Sequence, residues 1–240
     1  MKRAKTWFVF GLGFWLVGST LVIGLLNLPN KTKRAVVGMG CGLILFWILL
    51  GGGLMYRFRD VIRRRVLGLR LSWRLTFILF ATVLALIEEA ITTTMTNLAP
   101  WFGVAVGQAY ITASANYLDV VAFHSVVLFL PMFIAWAYLL IRYDFSAFEA
   151  FLLFGITGTL AESHRLQDLL GFGLWIFVYG LMVYLPAYSV PQRPRAVAPR
   201  WWHYPLAVLL PFLFLLLIPT GLVVNWLFPG HPGIHFPPIR

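Results

Sequence analysis

Long apolar runs recur along this chain, and they constrain its fold more than any other feature. Each run is close to the 20 or so residues that a helix needs to cross a bilayer, and a helix satisfies its own backbone hydrogen bonds in lipid. Seven runs lie between short polar segments: 7–28, 35–56, 73–97, 118–141, 145–162, 169–188 and 204–228. We therefore predict an all-α, polytopic transmembrane helix bundle of about seven spans, forming a single membrane domain over 1–240.

The composition excludes the main alternatives to a membrane protein. Hydrophobic residues make up 60% of the 240 residues and charged residues only 11%, whereas soluble domains carry about 25% charged residues. A chain this apolar is neither a soluble globule nor disordered. We expect a multi-pass protein of the cell membrane that has the lipid bilayer as its first partner and other membrane proteins as possible partners.

The net charge of +11 reflects the predicted orientation of the chain in the membrane. If the chain has the seven predicted spans, 14 of the 19 basic residues lie on the same side of the membrane as the amino terminus. Cytoplasmic loops carry an excess of Lys and Arg, so we predict a cytoplasmic amino terminus. This distribution accounts for the basic excess, and we expect no nucleic-acid partner.

Two segments on the predicted cytoplasmic side lie between spans. In 57–72, arginines alternate with apolar residues at helical spacing, which predicts a basic interfacial helix. The apolar members are Phe58, Ile62, Val66, Leu69 and Trp73. Such a helix either binds anionic lipid or serves only as a topology anchor, the reading that we favour. The Pro-rich segment 189–203 is a linker of limited flexibility.

Three smaller features bear on packing and on the ends of the chain. Gly38 and Gly42 lie one turn apart on a single face and would let another helix approach closely. The single Cys41 allows no intramolecular disulfide. The proline-rich end of the chain is expected to be a tail, in which His231 and His235 could bind a metal but solvation is the simpler expectation.

Two adjacent acids, Glu88 and Glu89, lie inside the third predicted span. They follow Arg74 by about 14 residues, which places them about 21 Å from the inner boundary and in the outer half of the bilayer. Intramembrane acids are costly and indicate a functional site. A polar stripe continues from them toward the outer surface through Thr92, Thr93, Thr96 and Asn97. The pattern predicts a helix that lines a wet cavity.

Other polar residues are predicted at the same level of the membrane: Asp119, His124, Glu162, His164 and Asp168. For the acids at helix ends, a solvated helix end is the simpler interpretation. For His124, a hydrogen-bonded interior histidine is an equal alternative. The uncharged loop 98–117 is long enough to fold across such a cavity as a lid or re-entrant segment.

Three short patterns follow one another along the chain: Glu88-Glu89, then His124, then His164-Arg-Leu-Gln-Asp168. This order resembles the CAAX-protease and bacteriocin-processing family of glutamate intramembrane peptidases. The resemblance implies that one glutamate activates water as a general base while His124 and His164 stabilise the oxyanion. The chain departs from the family pattern at Thr93, where the family has arginine, and at Val120, where it has phenylalanine.

Two other kinds of chemistry suit the same residues. The site could hold a divalent metal, with His124, His164 and Glu88 as candidate ligands, or a haem or chlorin between the two histidines. Alternatively, the acids and histidines could relay protons or ions in a transporter or in a larger membrane complex. The sequence predicts an outward-facing Glu/His site, with an intramembrane hydrolase as the first interpretation and a non-enzymatic protein as the second.

Overall fold

The computed structural model describes residues 2–163, 166–237 and 239, and within these ranges the chain is helical without a β-strand. The predicted all-α class is confirmed. The helices are α1 (Lys2–Leu26), α2 (Lys31–Leu43), α3 (Gly52–Leu67), α4 (Trp73–Asn97), α5 (Tyr117–Asp119), α6 (Val126–Arg142), α7 (Ala147–Glu162), α8 (Phe172–Tyr188), α9 (His203–Leu217) and α10 (Thr220–Leu227).

Several helices are long and apolar enough to cross a membrane. Four pass by length and composition: Arg3–Leu26, Lys31–Leu67, Trp73–Asn97 and His203–Leu227. The pair Tyr117–His124 and Val126–Arg142, bent by 48° at Ser125, would make a fifth. Helices α7 and α8 have only 16 and 17 residues, fewer than the roughly 20 that span a bilayer. The structure supports a membrane protein, whereas the count of seven spans and the orientation stay predictions.

The boundary predicted between span 35–56 and a separate basic helix 57–72 is wrong. Helix α2, a π-helical segment Ile44–Gly51 and α3 form one continuous helix of 37 residues. No proline interrupts it, and Gly51 and Gly52 keep helical backbone angles. It ends at Leu67, before Gly68. At about 1.5 Å per residue it is about 55 Å long, so its arginine-rich end extends beyond a hydrocarbon core about 30 Å thick.

Side chains at the helix starts explain where several helices begin. Helix α4 occupies the predicted range 73–97, and the hydroxyl of Ser72 accepts a hydrogen bond from the Leu75 N–H at 3.4 Å. Helix α7 begins with a capping box, in which Ser146 and Glu149 each accept from the other's backbone N–H. Such caps satisfy N–H groups that the first helical turn leaves unpaired.

Glycines bring two pairs of segments close together. Gly38 lies against the ring of Phe102 and Gly42 against the side chain of Met95, which confirms the close approach predicted there. Between α7 and α8 the contact reaches the backbone, because a Cβ built at Gly155 would lie 2.6 Å from the carbonyl oxygen of Ile176. Close contact of this kind drives helix association in membranes.

Arg193 holds the linker 189–203 against the rest of the bundle. Its guanidinium donates to the carbonyl oxygens of Leu140 at 2.7 Å and of Tyr143 and Phe145 at 3.2 Å each. It also pairs with the carboxylate of Asp144 at 2.7 Å. Leu140 lies in the last turn of α6, where helical carbonyls lack intrahelical partners, and Tyr143 and Phe145 follow that turn. Arg193 therefore fixes the linker to the turn between α6 and α7.

Candidate functional site

A cavity of about 580 Å³ lies between α1, α2, α4 and α8 and is lined by three carboxyl groups. Glu88 and Glu89 come from α4 and Glu162 from the last turn of α7. Volumes of about 300–1,000 Å³ are typical of small-molecule sites. The structure thus brings together the intramembrane pair and one of the helix-end acids that the sequence predicted at the same level.

The two neighbouring glutamates are both buried, with Glu88 4% and Glu89 6% exposed. A carboxylate oxygen of Glu89 accepts a hydrogen bond from the Thr92 hydroxyl at 3.1 Å. The hydroxyl-bearing side chains of Ser125 and Thr112 line the cavity beside this carboxylate. Glu89 is therefore hydrogen-bonded by a hydroxyl of its own helix and lies near two more, from the loop after α4 and from the bend before α6.

Glu162 reaches the cavity from the other side. The Tyr179 hydroxyl donates a short hydrogen bond to its carboxylate. Tyr179 precedes Gly180, and a Cβ built at Gly180 would lie 2.5 Å from the carbonyl oxygen of Phe151. The tight packing of α7 against α8 therefore positions Tyr179 beside Glu162.

The remaining wall of the cavity is aromatic and aliphatic. Tyr110, Phe129, Trp175 and Tyr179 supply rings, and the first two helices supply an aliphatic wall that includes Ile23. Among the described residues of the lining there is no Lys, Arg or His. Three carboxyl groups therefore share an aromatic and apolar cavity, and the described part of its lining supplies no basic side chain.

The loop after α4 closes part of the cavity, in agreement with the predicted fold of 98–117 across the site. Its residues 110–113 line the cavity. The Ile111 N–H donates to the Thr96 hydroxyl at 3.2 Å, and the Asn97 amide donates to the Ala115 carbonyl at 2.8 Å. The Tyr117 hydroxyl donates to the Leu86 carbonyl at 3.0 Å. Thr96 and Asn97, the last two members of the polar stripe on α4, thus help to hold the loop in place.

Not every member of the predicted polar stripe faces the glutamates. Thr92 lines the cavity, whereas Thr93 and Asn97 line a second, smaller pocket with Thr94 and Tyr117. Successive residues of a helix point about 100° apart. Thr93, one residue beyond Thr92, is accordingly turned toward the second pocket.

The structure separates His124 from the glutamates. Its ring faces His231 and His235, at centroid distances of 5.6 and 5.4 Å, and it does not line the cavity. Of the three predicted metal-ligand candidates, only His124 lies in a group of potential ligands within the described chain. Glu88 lies in the carboxyl cavity, and His164 lies outside the described residues.

The two predicted aspartates also stand apart from the cavity lining that the structure describes. Asp119 accepts a hydrogen bond from the Ser114 hydroxyl at 3.2 Å and is close enough to His124 to interact with it electrostatically. Asp168 lies in the 3-10 turn Leu166–Gly171, ahead of α8. Asp119 is thus associated with the histidines and not with the glutamates.

Sequence reasoning missed several polar groups of the cavity. They are Tyr110, Thr112, Ser125, Trp175 and Tyr179. Each has a single polar side-chain atom and is flanked in the sequence by apolar or small residues. Its residue type alone therefore does not distinguish it from a residue that only packs. The clearest available signal was the glycine pattern around Tyr179, because Gly155, Gly158 and Gly180 mark the surface where α7 and α8 meet.

Comparison with protein-family models, with curated proteins and with solved structures finds no match to this chain.

Proposed function

We propose that the protein binds an organic cation within the membrane in exchange for protons, as a proton-coupled transporter of such cations does. One observation carries this proposal: Glu88 and Glu89 are both buried in a cavity whose described lining contains no basic side chain. Buried carboxylates need a counter-charge, because an unpaired ion away from water is strongly unfavourable. Protons can neutralise the carboxyl groups, and so can a cationic ligand.

The rest of the lining selects the kind of cation. Trp175, Tyr179 and Tyr110 offer aromatic faces, which attract cations, and quaternary ammonium groups in particular. The aliphatic wall from α1 and α2 favours an apolar body. The cavity therefore suits an organic cation with apolar substituents better than a hydrated metal ion.

Competition between protons and the cation determines the expected pH dependence. Lowering the pH protonates carboxylates and removes the negative charge that attracts the ligand. Cation affinity should therefore fall as the pH falls, and binding at constant pH should release protons. A neutral ligand of similar shape should show neither effect.

The test uses tetraphenylphosphonium as the cation and the purified full chain in detergent. We expect saturable binding by calorimetry, with proton release shown by heats that depend on the ionisation enthalpy of the buffer. Glu88→Gln, Glu89→Gln and Glu162→Gln should each weaken binding by at least about tenfold, since two unit charges about 4 Å apart near a protein surface interact by about 4 kcal/mol and tenfold in affinity is about 1.4 kcal/mol. Asp60→Asn is the matched control, because Asp60 is exposed on α3, outside the cavity lining.

Two results would refute the cation proposal. One is wild-type binding whose affinity does not change with pH. The other is equal affinity in the three glutamine variants and in Asp60→Asn. Uptake of the same cation into proteoliposomes against a proton gradient would then test whether binding leads to transport.

An intramembrane peptidase-like hydrolase is the second candidate. The favouring observation is that Glu89, hydrogen-bonded by a hydroxyl, and Glu162, hydrogen-bonded by Tyr179, line one cavity and can divide base and acid roles. Here a glutamate would activate water and the Tyr179 hydroxyl would donate to the oxyanion. The variants Glu89→Gln, Glu162→Gln and Tyr179→Phe test it by cleavage of a membrane-embedded peptide. Full activity in all three variants would exclude the hydrolase.

We also propose a seven-span topology in the cell membrane with the amino terminus in the cytoplasm. The charge asymmetry of the loops supports it, as does the apolar surface of the long helices. A single cysteine in 29–34 should be labelled by an impermeant reagent in intact cells, and a single cysteine in 192–200 only after the cells are permeabilised, with Cys41 replaced by Ser in both. Labelling of both positions in intact cells would contradict the topology.

A further inference from the structure

The end of the chain folds back onto the bend between α5 and α6 and brings three histidines together. His231 and His235 come from the segment after α10, and His124 from the π-helical turn Val120–His124. One ring nitrogen from each of the three lies within 4.8 Å of the others. The expected solvated tail is thus an ordered segment with contacts to the bundle.

Contacts other than those among the three histidine rings fix the position of this segment. The His235 N–H donates to the Ala113 carbonyl at 2.9 Å, and Phe236 stacks on Tyr110 with centroids 4.8 Å apart. Phe123 packs against the ring of His231 at 4.0 Å. The backbone and aromatic contacts hold the segment against the loop that covers the carboxyl cavity.

Two buried ring nitrogens of the cluster have no hydrogen-bond partner among the described residues. They are the Nε2 atoms of His124 and His235. Buried polar atoms are normally satisfied, and exceptions call for an unseen partner such as a water or an ion. Neutral imidazole nitrogens are common ligands of transition metals.

We propose that His124, His231 and His235 form a three-histidine Zn²⁺ site that fastens the carboxyl-terminal segment to the bundle. Zinc binds imidazole nitrogen at about 2.0–2.1 Å in tetrahedral geometry, so its ligand nitrogens lie about 3.4 Å apart. A small movement of the tail brings the three nitrogens to that spacing. Three histidines leave one coordination position for water, as in zinc sites with three protein ligands.

Asp119 is the candidate positioning residue of this site. Its carboxylate accepts a hydrogen bond from the Ser114 hydroxyl and is close enough to His124 for an electrostatic interaction. Metal-bound histidines characteristically have a carboxylate or carbonyl near their second nitrogen, which orients the ring and increases its basicity. Asp119 would be a positioning residue and not a ligand.

The site would control access to the carboxyl cavity. Ile234, between the two tail histidines, lines that cavity. A metal bound to its neighbour His235 therefore holds this part of the wall closed. This consequence is separate from the identity of the ligand in the cavity, because the metal site uses none of the three glutamates.

The test measures Zn²⁺ binding to the full chain, purified in detergent through a tag without histidine and treated with a chelator. Equilibrium dialysis followed by elemental analysis should give one Zn²⁺ per chain with micromolar or tighter affinity. The double variant His231→Ala/His235→Ala lies in the terminal segment, where unfolding of the bundle is not expected, and should lose at least about 100-fold in affinity. Loss of a second-shell partner alone costs about 10–100-fold, so Asp119→Asn should have a smaller effect.

His203→Gln is the matched control, because His203 lies at the start of α9 and accepts a hydrogen bond from the Arg200 N–H at 2.7 Å, away from the cluster. It should keep one Zn²⁺ per chain. Hydrogen exchange gives a second readout: Zn²⁺ should slow exchange in 229–236 of the wild type and not of the double variant. Absence of stoichiometric Zn²⁺ in the wild type, or its retention in the double variant, would overturn the site.

Discussion

Replacing Gly180 by Ala should separate α7 from α8. The added Cβ would lie 2.5 Å from the Phe151 carbonyl oxygen, whereas ordinary contacts begin at 3.4 Å. Because the obstacle is backbone, the helices must move apart by about 1 Å, and a gap of 0.5–1 Å already removes a quarter to a half of the dispersion attraction. We therefore expect the upper end of the overpacking range, about 3 kcal/mol.

A second Gly→Ala substitution, at an uncrowded helical position, controls for helix propensity, which favours Ala over Gly by about 1 kcal/mol. Gly11→Ala serves, because a Cβ at Gly11 meets no atom within 4 Å. The two variants should differ by about 3 kcal/mol in the free energy of unfolding, a factor of over 100 in the equilibrium constant. Unfolding in mixed micelles by increasing mole fraction of dodecyl sulfate, followed by circular dichroism, measures the difference. Agreement of the two variants within about 0.5 kcal/mol would refute the backbone-contact argument.

Three further predictions concern other parts of the chain. Arg193→Ala should lower the free energy of unfolding by about 2 kcal/mol, since it removes charged hydrogen bonds to carbonyls, while Arg195→Ala, at an exposed position, should have little effect in the same denaturation assay. Ser146→Ala should cost about 1 kcal/mol by loss of the α7 cap, and Ser146→Asp should restore most of it in thermal melts. The triple variant of Arg63, Arg64 and Arg65 to Gln should retain less anionic lipid on purification, because each cation near an anionic surface contributes about 1 kcal/mol. Mass spectrometry measures the retained lipid, and Lys31→Gln/Lys33→Gln is the control. Equal lipid retention in the two variants would contradict the anionic-lipid interpretation.

Local signals in the sequence were sufficient for α4 and for the glutamate pair that it carries. The apolar run after Ser72 predicts α4 because a capping residue and a continuous hydrophobic stretch act within a few residues. The position of Glu88 and Glu89 within that run identifies them as costly and therefore significant. The covering of the site by loop 98–117 follows from its length and lack of charge.

The arrangement of the histidines depends on contacts between distant parts of the chain. His124 lies at a π-helical turn beside a 48° bend, so regular helical spacing does not indicate where its ring points. Its partners His231 and His235 come from the chain end, more than 100 residues later. Chain order placed His124 with the glutamates, whereas the fold of the terminal segment places it with two other histidines.

The continuous helix Lys31–Leu67 has a mechanical consequence. It contributes Val36, Leu43 and Ile44 to the wall of the carboxyl cavity and continues without a break to the arginines near its other end. From Ile44 to Leu67 the distance is about 35 Å at 1.5 Å per residue. A tilt of about 5° at the cavity would thus move the distal end by about 3 Å. A small tilt of this helix at the cavity therefore becomes a larger displacement at its arginine-rich end.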